Sequence, residues 1–189
     1  MSIKYVIAAG IGVLVATLST SPVAFAAGDA KSQVKRGEYL ATFGGCHDCH
    51  SPKVMTPNGP APDTTRLLSG HPADSQLPPV PAGVVGPAPN QWTALTNSDL
   101  TAWVGPWGIS FAANLTPDKA TGLGGWTVEQ FIKTMRTGKH LGAGRPILPP
   151  MPWFDVAVLS DVDLKALFAY LRSMKPIRNQ VPSPVPPKG

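Results

Sequence analysis

The sequence predicts an all-α fold with long irregular loops. Three observations point that way. Three segments carry apolar residues at helical spacing between recognisable start and stop residues. No stretch alternates apolar and polar residues in the manner of a half-buried strand. Proline and glycine crowd the segments between the helical ones, where long regular elements cannot form.

Taken in order, residues 1–26 read as a secretory signal peptide. Lys4 supplies the positive start and Tyr5 to Leu18 a nearly unbroken small and apolar run. Ala24-Phe25-Ala26 gives an A-x-A cleavage site, with Pro22 just before it. A membrane anchor is the competing reading, but the run is short for a span of about 20 residues. It also ends in Ser19-Thr20-Ser21-Pro22 rather than in basic residues. Cleavage after Ala26 predicts a periplasmic mature chain. No second apolar run of membrane length follows, so that chain is expected to be soluble or docked peripherally on a membrane.

Residues 31–45 predict the first helix. Val34, Gly37, Leu40, Ala41 and Gly44 fall on or near one face, and Gly44-Gly45 ends it. Residues 51–95 predict an irregular insertion wrapped over the surface, because ten prolines lie between Pro52 and Pro89 and remove the donors a regular element needs. Asn97 to Val104 predicts a short helix capped by Asn97 or Ser98. Residues 105–125 return to loop. Thr127 to Thr137 is a clearer helix: Thr127-x-x-Gln130 is a capping box, and Val128, Phe131, Ile132 and Met135 form its apolar stripe. Gly138 stops it, and a Gly/Pro-rich loop runs from Lys139 to Pro152. The last helix spans about Ser160 to Met174. Ser160 caps it, Asp161 and Asp163 suit its first turn, and Leu164, Leu167, Phe168 and Leu171 give its buried face. Pro176 prevents continuation. The Pro-rich tail, residues 181–189, is expected to be extended and mobile.

Both cysteines lie in one stretch, Cys46-His47-Asp48-Cys49-His50. A disulfide or a redox-active C-x-x-C are competing readings. The histidine directly after the second cysteine decides, since C-x-x-C-H is the pattern of covalent haem attachment. Two thiols separated by two residues meet the two vinyl groups of one porphyrin edge, and the next histidine can bind iron from below the ring. A zinc site would need further ligands, and no second cysteine pair exists. The pattern occurs once, which predicts one haem c, attached through Cys46 and Cys49 with His50 as an axial ligand.

The other axial ligand has several candidates: Met55, Met135, Met151 and Met174 as thioethers, His71 and His140 as nitrogen donors. Met135 and Met174 lie within or at the ends of helices, where methionine usually packs a core. Met151 sits in Leu148-Pro149-Pro150-Met151-Pro152-Trp153, where prolines on both sides restrict the backbone and could hold the sulfur at a fixed place. Met151 is therefore the preferred ligand. His47 lies inside the attachment loop and is expected to face away from the iron.

The chain also resembles a known family, the class I c-type cytochromes, and among them the haem modules of cytochrome c subunits of bacterial alcohol, aldehyde and gluconate dehydrogenases. The resemblance rests on Gly37-x-Tyr39-Leu40, Cys46-x-x-Cys49-His50, Asn114-Leu115-Thr116-Pro117-Asp118, Gly122-x-Gly124-x-Trp126-Thr127, Met135-Arg136-Thr137-Gly138, Pro150-Met151-Pro152-Trp153 and the helix following Leu159. Those subunits usually carry several such modules; this chain carries one. The resemblance implies a cytochrome c domain over residues 27–180, first and last helices that cross at Gly37 and Tyr170, and Met151 as the iron's sixth ligand. It also makes Trp107, Trp126 and Arg145 candidate propionate partners, since indole and guanidinium N–H groups donate to carboxylates.

An iron with both axial positions filled exchanges electrons without binding substrate. The sequence thus predicts a periplasmic one-electron carrier that is not itself an enzyme, with a dehydrogenase or oxidase as redox partner. The alternatives are a subunit docked on a dehydrogenase, with the insertion as interface, and a haem enzyme with a displaceable sixth ligand. The formal net charge of +5 is carried by sparse charged residues without a long basic run, which excludes a nucleic-acid partner. No Ser-His-Asp pattern or phosphate-binding glycine loop suggests other chemistry.

Overall fold

The computed structural model describes residues 29–187, so the expected signal peptide lies outside the described residues. Its helices are α1 (Ala30–Phe43), α2 (Cys46–His50), α3 (Val128–Thr137), α4 (Trp153–Ala157) and α5 (Asp161–Ser173). Each long helix starts where the sequence provides a cap. Asp29 accepts from the Ser32 N–H at 2.7 Å, Ser160 Oγ accepts from the Asp163 N–H at 3.1 Å, and Thr127 and Gln130 form a reciprocal capping box. Gly138, at φ 64°, ends α3 in the left-handed region.

The core forms where α1, α3 and α5 meet. Leu40 and Ala41 of α1, Phe131 of α3, and Leu164, Leu167, Phe168 and Leu171 of α5 are buried together. The Phe131 and Phe168 rings lie 5.1 Å apart between centroids. Gly37 is the point of closest approach between α1 and α5. A Cβ there would stand 2.0 Å from the Ala166 carbonyl oxygen and 2.7 Å from Tyr170 Cβ, so only glycine lets the helices pack at this distance. Arg172 donates to the carbonyls of Leu123 and Gly124, tying the turn before α3 to α5.

The all-α expectation is wrong. The described residues are 33% helix and 14% strand, with two small sheets, a mixed α/β arrangement. Strands β1 (Lys53–Thr56) and β2 (Gly59–Pro62) form an antiparallel hairpin. Strands β3 (Leu95–Thr96), β4 (Ala102–Gly105) and β5 (Gly108–Phe111) form an antiparallel sheet in that order. None exceeds four residues, too few for a period of two to stand out. Proline is tolerated in β2 because that strand has one neighbour and needs no donors on its outer side.

The short helix expected over Asn97 to Val104 is also absent. Asn97 does act as a cap, but of a turn: its Oδ1 accepts from the N–H groups of Thr101 and Ala102, both at 3.0 Å. Leu100 takes φ 59°, which breaks any helix, and the chain enters β4.

The tail is extended as expected, yet it is tied down. Asn179 Nδ2 donates to the carbonyls of Ser69 and His71, both at 2.8 Å, and its Oδ1 accepts from the Ala73 N–H at 3.0 Å. Val185 and Ile109 exchange both backbone hydrogen bonds, at 2.8 and 3.0 Å.

Candidate functional site: the cavity above the attachment helix

Gly45, at φ 64°, turns the chain from α1 into α2 and sets Cys46, Cys49 and His50 on one short helical turn. His50 is buried, and its Nδ1–H donates to the Ala113 carbonyl at 2.8 Å. A carbonyl only accepts, so Nδ1 carries the proton and Nε2 keeps its lone pair. Burial holds the imidazole below its ordinary pKa, in the neutral form that a metal requires. Neither thiol is disulfide-bonded. Burial pushes the Cys46 thiol up to about 11 and raises Cys49 as well.

These side chains line a cavity of about 430 Å³, whose walls are mainly apolar. Among the residues singled out in the sequence, it gathers Cys46, Cys49, His50, Met151, Trp126 and Arg145. Trp107 does not line it. The Trp107 indole N–H donates to Ser110 Oγ at 3.2 Å, and the neighbouring Trp103 contributes to the wall instead. Trp126 stands edge-on to His140, with ring centroids 5.0 Å apart.

The alternative iron ligands divide in two. Met135 and His140 also reach the cavity, Met135 while packed against the helical core. The others are elsewhere. Met55 is 77% exposed on β1. His71 is buried, with Nδ1 2.8 Å from Thr101 Oγ1 and its ring against Phe111. Met174 packs against the core. His47 faces the other side of α2, where its ring nitrogens meet Ser51 Oγ and Tyr170 Oη, both at 3.2 Å.

Other residues shape the cavity without having been legible as site residues. Asn114 crosslinks its own loop and the tail. Its Nδ2 donates to the Ile177 carbonyl at 2.8 Å, while Oδ1 accepts from the Thr116 hydroxyl at 2.7 Å. Gln180 to Pro184 form part of the wall. Asn114 opened a conspicuous motif, whereas nothing in the residues around Asn179 announced a role.

The donor set fits a haem. Among the described residues no group of three or more His, Cys, Asp or Glu side chains converges as a metal cage would. The cavity offers one imidazole with a free Nε2, two thiols beside it and thioether sulfur. That set suits an iron whose equatorial positions are already filled by porphyrin nitrogens.

No family model matches the chain. It is 34% identical over 137 residues to the gluconate 2-dehydrogenase cytochrome c subunit of Pantoea cypripedii, covering 72% of this chain and 22% of that protein. It is 27% identical over 176 residues to the cytochrome c subunit of the quinone alcohol dehydrogenase of Gluconobacter oxydans, covering 90% and 28%. It is 39% identical over 80 residues to the fructose dehydrogenase cytochrome subunit of Gluconobacter japonicus, covering 42% and 16%. The chain thus spans less than a third of each relative's length.

Proposed function

From its homology to the cytochrome c subunits of gluconate, alcohol and fructose dehydrogenases, we propose that this chain is a dehydrogenase-type cytochrome c module that carries one electron at a time. Cys46 and Cys49 would hold a single haem c covalently, and His50 and Met151 would supply its two protein ligands to iron. The observation that carries the reading is the convergence of Cys46, Cys49, His50 and Met151 on one cavity, with His50 Nδ1 already committed to Ala113.

Haem c supplies a reversible one-electron couple at its iron. The protein supplies the rest. The hydrogen bond to Ala113 fixes the tautomer and orientation of His50 and raises its basicity. Apolar walls exclude water and favour the less charged state of a bound centre. Met151 is favoured over Met135, which the core already holds, and over His140, which is engaged with Trp126. Trp126 and Arg145 line the cavity, and we assign their indole N–H and guanidinium to the propionates. With His50 and Met151 both committed to the group, the module would carry electrons, and substrate oxidation would belong to a dehydrogenase partner. The segment before Ala27 exports it to the periplasm. Among the described residues no helix is long and apolar enough to cross a membrane.

A redox titration followed by visible spectra tests this directly. The expected result is one haem titrating as a single one-electron couple, with a methionine–iron charge-transfer band that Met151→Ala abolishes. An unchanged spectrum in that variant would remove Met151 from the iron. Rapid binding of cyanide or carbon monoxide by the native protein would favour a haem enzyme instead.

A further inference from the structure

The loop that presents Met151 has an unusual problem of attachment. Pro149, Pro150 and Pro152 have no N–H, so the loop has few backbone donors of its own. Its nearest backbone anchor on the amino-terminal side is the Ile147 N–H, which donates to the Gly138 carbonyl at 2.8 Å. Beyond Met151, the Trp153 N–H donates to the Met151 carbonyl at 2.9 Å, which is internal to the segment.

One bond holds the middle of this loop from outside. The Ser110 hydroxyl donates to the Pro149 carbonyl at 2.5 Å. Its other acceptor, the Trp103 carbonyl, is much further at 3.5 Å. The same oxygen accepts the Trp107 indole N–H at 3.2 Å, which polarises the hydroxyl and strengthens the bond it donates. Ser110 is buried, so no solvent hydroxyl can replace it readily. The donor side is rigid. Ser110 pairs with Trp103 across β4 and β5, and Ile109 beside it is bonded to Val185 of the tail. The Trp107 ring lies so close over Gly105 that a Cβ there would stand 2.4 Å from it, which fixes the indole's orientation.

We propose that Ser110 and Trp107 are positioning residues for Met151, and that the β4–β5 hairpin braces the methionine loop so that the sulfur stays where the iron needs it. This rests on Met151 being the sixth ligand. The brace lowers the population of loop conformations in which the sulfur is withdrawn. An added ligand that competes with the sulfur should therefore bind more tightly when the brace is cut.

Imidazole binding to the oxidised holoprotein, read spectroscopically, tests this in wild type, Ser110→Thr, Ser110→Val, Trp107→Phe and Met151→Ala. Thr and Val have nearly the same shape, so their difference isolates the hydroxyl. Losing one such hydrogen bond should tighten imidazole binding about fivefold. Ser110→Val should show that shift together with a weakened charge-transfer band, Ser110→Thr should stay near wild type, and Trp107→Phe should fall between them. If Met151→Ala binds much more tightly than wild type while Ser110→Val and Trp107→Phe do not, the brace is refuted and the ligand assignment stands. If Met151→Ala matches wild type, the ligand assignment falls and the brace with it. Should Ser110→Val fail to fold, Trp107→Phe decides by the same comparison.

Discussion

The two sides of the cavity are built in opposite ways. On one side, Cys46, Cys49 and His50 share a five-residue helix that Gly45 turns out of α1, with only His50 oriented by a distant carbonyl, that of Ala113. On the other, Met151 sits in a proline-rich loop poor in backbone donors, held at Pro149 by a serine from a distant hairpin. The first arrangement is local, and one short motif encodes it. The second is assembled from segments that the chain brings together only when folded. Attachment and ligation should therefore respond differently to the same injury.

The largest expected effect separates them outright. Replacing both Cys46 and Cys49 with alanine should abolish covalent haem, read as loss of haem stain on a denaturing gel. Variants in the distant wall should keep the stain. Next comes the shared core. Leu164 is fully buried between the helices, and Leu164→Ala should cost about 2–5 kcal/mol in urea unfolding of the holoprotein, weakening both sides together. Asn179→Ala cuts a contact between segments far apart in the chain. It removes the clamp on Ser69, His71 and Ala73, and should cost about 1–3 kcal/mol while covalent haem content stays at the wild-type level. Loss of attachment in that variant would break the contrast between the two sides.

The smallest effect concerns pH. Asp63 is held at about 2 against an ordinary 3.8, first by the Thr65 hydroxyl, then by Arg66 and the Thr65 N–H. A depressed carboxylate contributes stability above its unfolded pKa and loses it as pH falls through the folded value. Asp63→Asn should therefore lower stability slightly at neutral pH, with the difference from wild type vanishing as pH falls from 3.8 to about 2. A difference from wild type that stays constant across this pH range would discount this contribution.

The same contrast explains what the sequence revealed. The helices were legible because their signals are local: the Thr127–Gln130 box, Ser160 before α5 and the apolar stripes. Gly37 was legible as a crossing point. The sheets were not, because their strands are short and one is half proline. Asn97 carried a true capping signal that fitted a turn as well as a helix, and Leu100 at positive φ decided for the turn. At the cavity, Cys46 to His50 stood out by spacing. Trp107 was noticed but its use was misjudged, since its indole is spent on Ser110. Ser110 and Asn179 could not be found, because a single polar residue has no period or motif until its distant acceptor is known.

The docked tail bears on the order in which the molecule is made. Asn179 reaches back to Ser69 and His71, and Val185 to Ile109, across long stretches of chain. Contacts of such separation raise the loop-closure cost that must be met before they stabilise anything, so they form late in folding. The turn that carries Cys46 and Cys49 forms within α2 and needs no such closure. During folding there is thus an interval in which the cysteines are arranged but the wall made by Gln180 to Pro184 has yet to arrive. The haem proposed above would enter most easily in that interval, before the tail completes the wall.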